Sequence, residues 1–148
     1  MPAKPSIMVR QWMNRRVFSI GPDARLTEAA TLMRRRKVRH LPVVEHGGRI
    51  VGMVSARDLR QALFAPSVQD ALGNLRDVLD GLAVRDIMTR KVVGVRSATS
   101  IREAARLMYE RKVGALPVVE RNLLVGILTE TDVLDALQRM LGPTPTSA

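Results

Sequence analysis

A glycine, a hydroxyl residue three positions on and a carboxylate three beyond that occur twice in this chain. The copies are Gly52-Met53-Val54-Ser55-Ala56-Arg57-Asp58 and Gly126-Ile127-Leu128-Thr129-Glu130-Thr131-Asp132. Each closes an apolar run of strand character (Ile50 to Val54; Leu123 to Leu128) and opens one of helical spacing (Leu59 to Leu63; Val133 to Leu141). Two kinds of chemistry fit. In a capping box the hydroxyl accepts from an orphan N–H of the helix and the acid reaches back. Alternatively, the same groups face a ligand.

Other inventories are thin. His40 and His46 are the only histidines, there is no cysteine, and neither a metal-ligand cluster nor a P-loop sequence appears, so an enzyme is not expected. Without cysteine, disulfides and thiolate metal sites are excluded, which suits a cytoplasmic location. No apolar run approaches the ~18 residues of a membrane span, and Met1 to Ser6 lack the hydrophobic region of a signal peptide. The four aromatics, Trp12, Phe18, Phe64 and Tyr109, are expected mostly in cores otherwise built from aliphatics and methionine.

Net charge is +10, unevenly spread along the chain. Residues 8–63 carry 12 Lys/Arg against 4 Asp/Glu, residues 84–141 carry 10 against 7, and residues 64–83 carry 1 against 3. A basic field attracts phosphate on a nucleotide, a nucleic acid or a lipid. The run Arg34-Arg35-Arg36-Lys37 has a plainer reading, a solvated helix end that complements the dipole.

The elements that must position the junctions come as an internal repeat. At an offset of 75, Val9-Arg10 falls on Val84-Arg85, Met13 on Met88, Glu28-Ala29-Ala30 on Glu103-Ala104-Ala105, and Leu41-Pro42-Val43-Val44-Glu45 on Leu116-Pro117-Val118-Val119-Glu120. From Gly52 and Gly126 onward the offset is 74. Each unit reads as a short helical lead (Val9 to Met13; Val84 to Met88), a brief strand (Val17 to Ile20; Val92 to Val95), a helix, two hairpin strands and a closing helix. The order is β-α-β-β-α. Ser100 with Glu103 predicts a capping box, and Arg25 stands in Ser100's place in the first copy. The expected division is repeat 1 at 8–63, a linker helix within 64–83, repeat 2 at 84–141, and a disordered tail at 142–148. The linker's apolar stripe, including Val68, Ala71, Leu72, Leu75, Val78, Leu79 and Leu82, either packs on its own protein or forms a self-association face.

The Leu-Pro-Val-Val strand, the Gly-x-x-Ser/Thr-x-x-Asp junction and the β-α-β-β-α order, each present twice in register, resemble the tandem cystathionine-β-synthase (CBS) domain pair, or Bateman module, over residues 8 to 141. The resemblance implies an α/β (α+β) fold of two repeats about a pseudo-twofold axis. It also implies two clefts for adenosine-containing ligands: AMP, ADP, ATP, NAD or S-adenosylmethionine. Carried over by position, Asp58, Ser55, Asp132 and Thr129 bind ribose, and Arg39 and His40 bind phosphate. Gly114 and Ala115 replace Arg39 and His40 in the second copy, so inequivalent clefts are expected. For His40 a solvent-exposed or structural role is an equal alternative. The stretches Asn14, Arg15, Arg16 and Thr89, Arg90, Lys91 are implied to close over the base or ribose, although Asn14 departs from the family's frequent threonine. An apolar slot for the purine would be lined by Ile20, Leu41, Val54, Val95, Leu116 and Leu128. A carboxylate suits a ribose diol because two acceptor oxygens meet two donors, and a helix N-terminus favours nearby phosphate.

The resulting expectation is a stand-alone regulatory module with an adenine nucleotide as regulatory ligand and no required cofactor. Its output would pass to an unknown protein effector or to a dimer mate held through helices. The alternatives are a basic nucleic-acid-binding protein and a ligand-free structural dimerisation module.

Overall fold

The computed structural model describes residues 7–65 and 75–143. In chain order, a 3-10 turn at Val9–Gln11 precedes α1 (Leu26–Arg36), β1 (His40–Val44), β2 (Ile50–Ser55) and α2 (Ala56–Leu63). Then come α3 (Leu75–Gly81), α4 (Val84–Ile87), α5 (Ile101–Arg111), β3 (Ala115–Glu120), β4 (Leu123–Thr129) and α6 (Glu130–Met140). This is a mixed α/β fold with two antiparallel two-stranded sheets, β1-β2 and β3-β4.

The hairpin turns follow their backbone requirements. Gly47 and Gly48 take φ +87° and +84°, and Arg121-Asn122 adopt φ 51° and 64° at the shorter turn. Two successive positive φ values match the right-handed twist of the flanking strands. Both sheets carry a register shift at the same place, Val43/Val44 and Val118/Val119.

The brief first strand of each repeat is reduced to a single parallel bridge, Ile20 to Val43 and Val95 to Val118. Ile20 N–H donates to Pro42 O (3.0 Å) and its carbonyl accepts from Val44 N–H (2.9 Å). The next donor in such a ladder would be residue 22, which is Pro22 and has no N–H. In the second copy the corresponding Ser97 N–H is taken by the Glu120 carboxylate instead (2.9 Å).

The chain divides into two compact units, Phe18–Val92 (the first unit) and Met1–Val17 with Val93–Ala148 (the second). These boundaries regroup the sequence repeats, because each repeat's lead segment belongs with the other repeat. Val84 N–H donates to Ala24 O, Arg85 N–H to Pro22 O, and Leu26 N–H to Leu82 O. In the second unit Val9 N–H donates to Thr99 O, Arg10 N–H to Ser97 O, and Ile101 N–H to Ile7 O, the same three bonds 75 positions on. Val84 and Val9 are fully buried in the receiving cores. Each such burial stabilises by about 1.5–3 kcal/mol.

The cores are aliphatic, with methionine. Leu26, Ala29 and Met33 of α1 meet Leu41, Val43, Val54, Leu59 and Val84 in the first unit. Ile101, Ala104 and Met108 of α5 meet Leu116, Val118, Leu128, Ala136 and Val9 in the second. The aromatics do not follow the core expectation: Phe64 and Tyr109 are 67% and 85% exposed. Trp12 and Phe18 are half-buried, beneath the guanidinium groups of Arg139 (5.6 Å) and Arg36 (4.8 Å).

Helix α5 receives only half of its predicted box. Ser100 Oγ accepts from Glu103 N–H (3.1 Å), while the Glu103 carboxylate turns to Arg106. Helix α1 receives the other half, since Arg25 N–H donates to the Glu28 carboxylate (2.9 Å) with no capping side chain from Arg25. Of the linker stripe, Leu79 and Leu82 pack against the first unit's core, and Thr27 Oγ1 donates to Leu79 O (3.0 Å) and reaches Asp80 Oδ1 (2.6 Å). The stripe's earlier part, Val68 to Leu72, lies outside the described residues, as does the tail from residue 144. Among the described residues no helix is long and apolar enough to cross a membrane.

Candidate functional site

Both junctions fold as helix caps. Ser55 and Thr129 have extended backbones (φ −117° and −110°) at the point where β2 runs into α2 and β4 into α6. Ser55 N–H donates to Asp58 Oδ2 (2.8 Å), and Ser55 Oγ accepts from Asp58 N–H (3.1 Å). Thr129 N–H likewise donates to Asp132 Oδ2 (2.8 Å), but the Thr129 hydroxyl donates to the same oxygen (3.0 Å). Each acid thus uses one oxygen for its cap. Asp58 Oδ1 and Asp132 Oδ1 have no hydrogen-bond partner among the described residues, and both side chains are half-buried.

The strand before each helix brings further residues. His40 lies directly opposite Ser55 in the β1-β2 register, and Ala56 N–H donates to Arg39 O (2.8 Å). Arg39 and His40 therefore belong to the Asp58 junction. At the Asp132 junction, Ala115 lies opposite Thr129, and Glu130 N–H donates to Gly114 O (3.0 Å).

The stretches that follow the two lead segments are exchanged between repeats. Thr89 pairs with Met53, two residues before Ser55, through Met53 N–H to Thr89 O (3.0 Å) and Thr89 N–H to Met53 O (2.8 Å). Asn14 pairs in the same manner with Ile127, two residues before Thr129 (2.9 and 3.0 Å). Thr89, Arg90 and Lys91 thus accompany Ser55 and Asp58, and Asn14, Arg15 and Arg16 accompany Thr129 and Asp132. All six are exposed. Asn14 Oδ1 accepts from Arg16 N–H (3.0 Å), and Arg90 Nη2 donates to Arg85 O (3.3 Å).

The glycine of each junction makes room for this exchange. A Cβ on Gly52 would stand 2.6 Å from Met88 Sδ and 3.1 Å from Thr89 O. One on Gly126 would stand 2.7 Å from Met13 Sδ and 3.3 Å from Asn14 O. What approaches each glycine closely is the other repeat's lead methionine and backbone.

The six residues expected to line a base slot sit inside the cores. Ile20, Leu41 and Val54 pack in the first unit and Val95, Leu116 and Leu128 in the second, none more than 9% exposed. Leu41 pairs with Val54 and Leu116 with Leu128, one step before each junction.

Sequence reasoning passed over one contrast. The first two residues of α2 are Ala56 and Arg57, and those of α6 are Glu130 and Thr131. Aligning the two heptapeptides residue by residue displays it, once the flanking residues and not just the shared ones are compared.

A two-unit α/β fold made from an internal repeat, with a capped strand-helix junction in each unit, defines a tandem-repeat class of domain pair. The CBS domain model matches residues 9–65 and 84–139, and the chain belongs to the CBS domain family as a tandem pair. A CBS domain-containing protein of Dictyostelium discoideum is 34% identical over 143 residues, covering 94% of this chain and 97% of that protein. Among solved structures, CBSX2 from Arabidopsis thaliana is 32% identical with a TM-score of 0.79, covering 94% of this chain and 99% of that one. The complex of CBSX2 with AMP gives 0.75 at 32% identity, covering 91% and 98%.

Proposed function

We propose that this chain is a non-catalytic regulatory CBS pair that binds adenosine-containing ligands at its two junctions and passes the binding on to a partner. The observation that carries the reading is the half-used carboxylate. Asp58 and Asp132 each keep one oxygen in the cap and one without a partner among the described residues. An acceptor fixed in this way suits a ribose diol without disturbing the helix. In this reading Ser55 and Thr129 assist at the ribose, Arg39 and His40 meet phosphate, and Thr89-Arg90-Lys91 and Asn14-Arg15-Arg16 close over the ligand. AMP in the related CBSX2 supports an adenine nucleotide as the class of ligand.

The partner within this reading is a second copy of the chain. Leu134, Leu137 and Leu141 lie on one face of the last helix and its end, 63%, 48% and 76% exposed, with Met140 at 57%. Such a stripe suits burial by its own image across a twofold axis.

The nucleic-acid alternative loses its main support when charge is counted by unit. Residues 18–92 carry 13 Lys/Arg against 8 Asp/Glu and the remainder 11 against 6, so each unit is +5. The basic first half is a property of the sequence order and not of either unit.

The test is thermal unfolding with AMP, ADP, ATP, NAD, S-adenosylmethionine and guanine nucleotides in parallel. A ligand at ~100 times its Kd adds about 2.7 kcal/mol. Asp58→Asn and Asp132→Asn should each remove part of the response. No shift with any adenine compound refutes the reading, and shifts that survive both substitutions refute the ribose assignment.

A further inference from the structure

We infer that the two junctions sort adenosyl ligands by charge: the Asp58 junction takes phosphate-bearing nucleotides, and the Asp132 junction takes an adenosyl compound without phosphate. This rests on the nucleotide reading above and names the ligand class of each site.

The inference depends on the exchange. Along the sequence, Arg90 and Lys91 belong to the repeat that carries Asp132; in the structure they lie in the unit of Asp58 and directly follow Thr89, whose bridge partner Met53 stands two residues before Ser55. The Asp58 junction and the segment bridged to its strand therefore carry Arg39, Arg57, Arg90 and Lys91 with a single acid, Asp58. At the Asp132 junction the corresponding positions are Gly114, Thr131, Arg15 and Arg16, with Glu130 as a second acid on the first residue of α6. Four cations against one anion face two against two, a formal balance of +3 against 0.

Five of these charges, Arg39, Arg57, Lys91, Arg15 and Glu130, are exposed and form no ion pair among the described residues. Arg90 contributes one long bond to a backbone carbonyl, which leaves its charge uncompensated. A phosphate arriving at the Asp58 junction meets a net attractive field. At the Asp132 junction it meets Glu130 at the helix start, where the helix dipole would otherwise welcome an anion. The Glu130 carboxylate supplies that negative charge from within, so a neutral nucleoside or a sulfonium cation is favoured over a phosphate.

Each exposed charge changes the affinity for a phosphate by roughly 1.4- to 5-fold. The twin exchange Glu130→Ala with Thr131→Arg makes the Asp132 junction more positive by two and leaves both caps intact. It should raise ATP affinity there roughly 2- to 25-fold and leave adenosine affinity unchanged. The reverse exchange, Arg57→Thr, should weaken ATP a few-fold at the other junction.

The experiment is calorimetric titration of the full chain with ATP, AMP, adenosine and S-adenosylmethionine at two salt concentrations. Wild type, Asp58→Asn, Asp132→Asn, Arg57→Thr and the Glu130→Ala/Thr131→Arg variant are compared, with circular dichroism checking each fold. Charge sorting predicts that ATP binding is lost in Asp58→Asn and kept in Asp132→Asn, with the opposite pattern for adenosine and S-adenosylmethionine. Should either Asn variant fail to fold, the two cap-sparing variants decide alone. Equal loss of all ligands in both Asn variants overturns the sorting, as does an ATP affinity that ignores Glu130→Ala/Thr131→Arg. Wild type that binds none of the four overturns the nucleotide reading itself, and the sorting with it.

Discussion

Replacing Gly52 by alanine tests the exchanged architecture most directly. The added methyl would lie 2.6 Å from Met88 Sδ, 3.0 Å from its Cγ and 3.1 Å from the Thr89 carbonyl oxygen. Ordinary carbon contacts lie at about 3.5–4.0 Å, so the sulfur is about 1 Å too close and the carbonyl a few tenths. The half-buried methionine can swing aside. The Thr89 carbonyl cannot move freely, since it accepts from Met53 N–H in the bridge. Overpacking of this kind costs about 1–3 kcal/mol. Gly52 does not have a positive φ, so backbone strain adds nothing.

A double-mutant cycle then names the partner. Met88→Ala removes the sulfur, and Gly52→Ala should cost less in that background, with a coupling of about 0.5–3 kcal/mol. Gly126→Ala should couple in the same way to Met13→Ala. Urea unfolding followed by circular dichroism supplies the energies, and the single tryptophan, Trp12, reports on the second unit. Coupling of Gly52 to Met13, with none to Met88, would refute the exchange and restore each lead segment to its own repeat.

Three further outcomes follow from single contacts. Ser100→Ala should cost about 0.5–2 kcal/mol by removing the acceptor of Glu103 N–H, whereas Arg25→Ser should gain some of that by supplying the missing cap to α1; unchanged midpoints in urea for both would refute it. Hydrogen bonds from the Ser97 hydroxyl and N–H, then from Arg96, hold Glu120 down at about 2 from an ordinary 4.5. A carboxylate lowered on folding stabilises fully above its ordinary value and loses that contribution as pH falls towards the folded one, so Trp12 fluorescence should show wild type losing stability relative to Glu120→Gln between about pH 4.5 and 2; parallel acid limbs refute it. Finally, Leu134→Glu with Leu137→Glu should convert a dimer to a monomer in light scattering behind gel filtration, and a wild type that is monomeric at every concentration refutes the dimer.

Much of this fold is legible in the sequence because period and punctuation agree. The buried positions Leu26, Ala29 and Met33 recur as Ile101, Ala104 and Met108, and the hairpins follow from Gly47-Gly48 and its shorter twin. The first strand of each repeat is less legible. Val17 to Ile20 has strand composition, but the ladder is ended by Pro22 in one copy and by a side chain, Glu120, in the other. The capped junctions are legible as caps. Their companions are not, for a reason that lies in the repeat itself. Met13 and Met88 are near-equivalent, as are Gly52 and Gly126, so the pairing within a repeat and the pairing between repeats satisfy one and the same pattern. Only three-dimensional contact separates them, and it selects the pairing between repeats. The expected base-slot residues share that ambiguity: an apolar residue beside a junction reads alike whether it faces a ligand or the core, and all six are buried.

The exchange also changes what a ligand at either junction would engage. Thr89, which Arg90 and Lys91 follow, is tied by backbone bonds to the strand before Ser55, and the chain leaves that unit between Val92 and Val93. Asn14, which Arg15 and Arg16 follow, is tied to the strand before Thr129, and the chain leaves between Val17 and Phe18. Both basic stretches therefore stand within three residues of a crossing from one unit to the other. Under the proposed reading, a phosphate held by Arg90 and Lys91 acts on the covalent connection between units as well as on the site. A ligand shifts an equilibrium only by its difference in affinity between two states. Contacts next to a crossing are well placed to differ in that way, because any change in the connection displaces them relative to the anchored Asp58. A junction whose residues all came from one repeat would bind just as tightly and transmit nothing by this route.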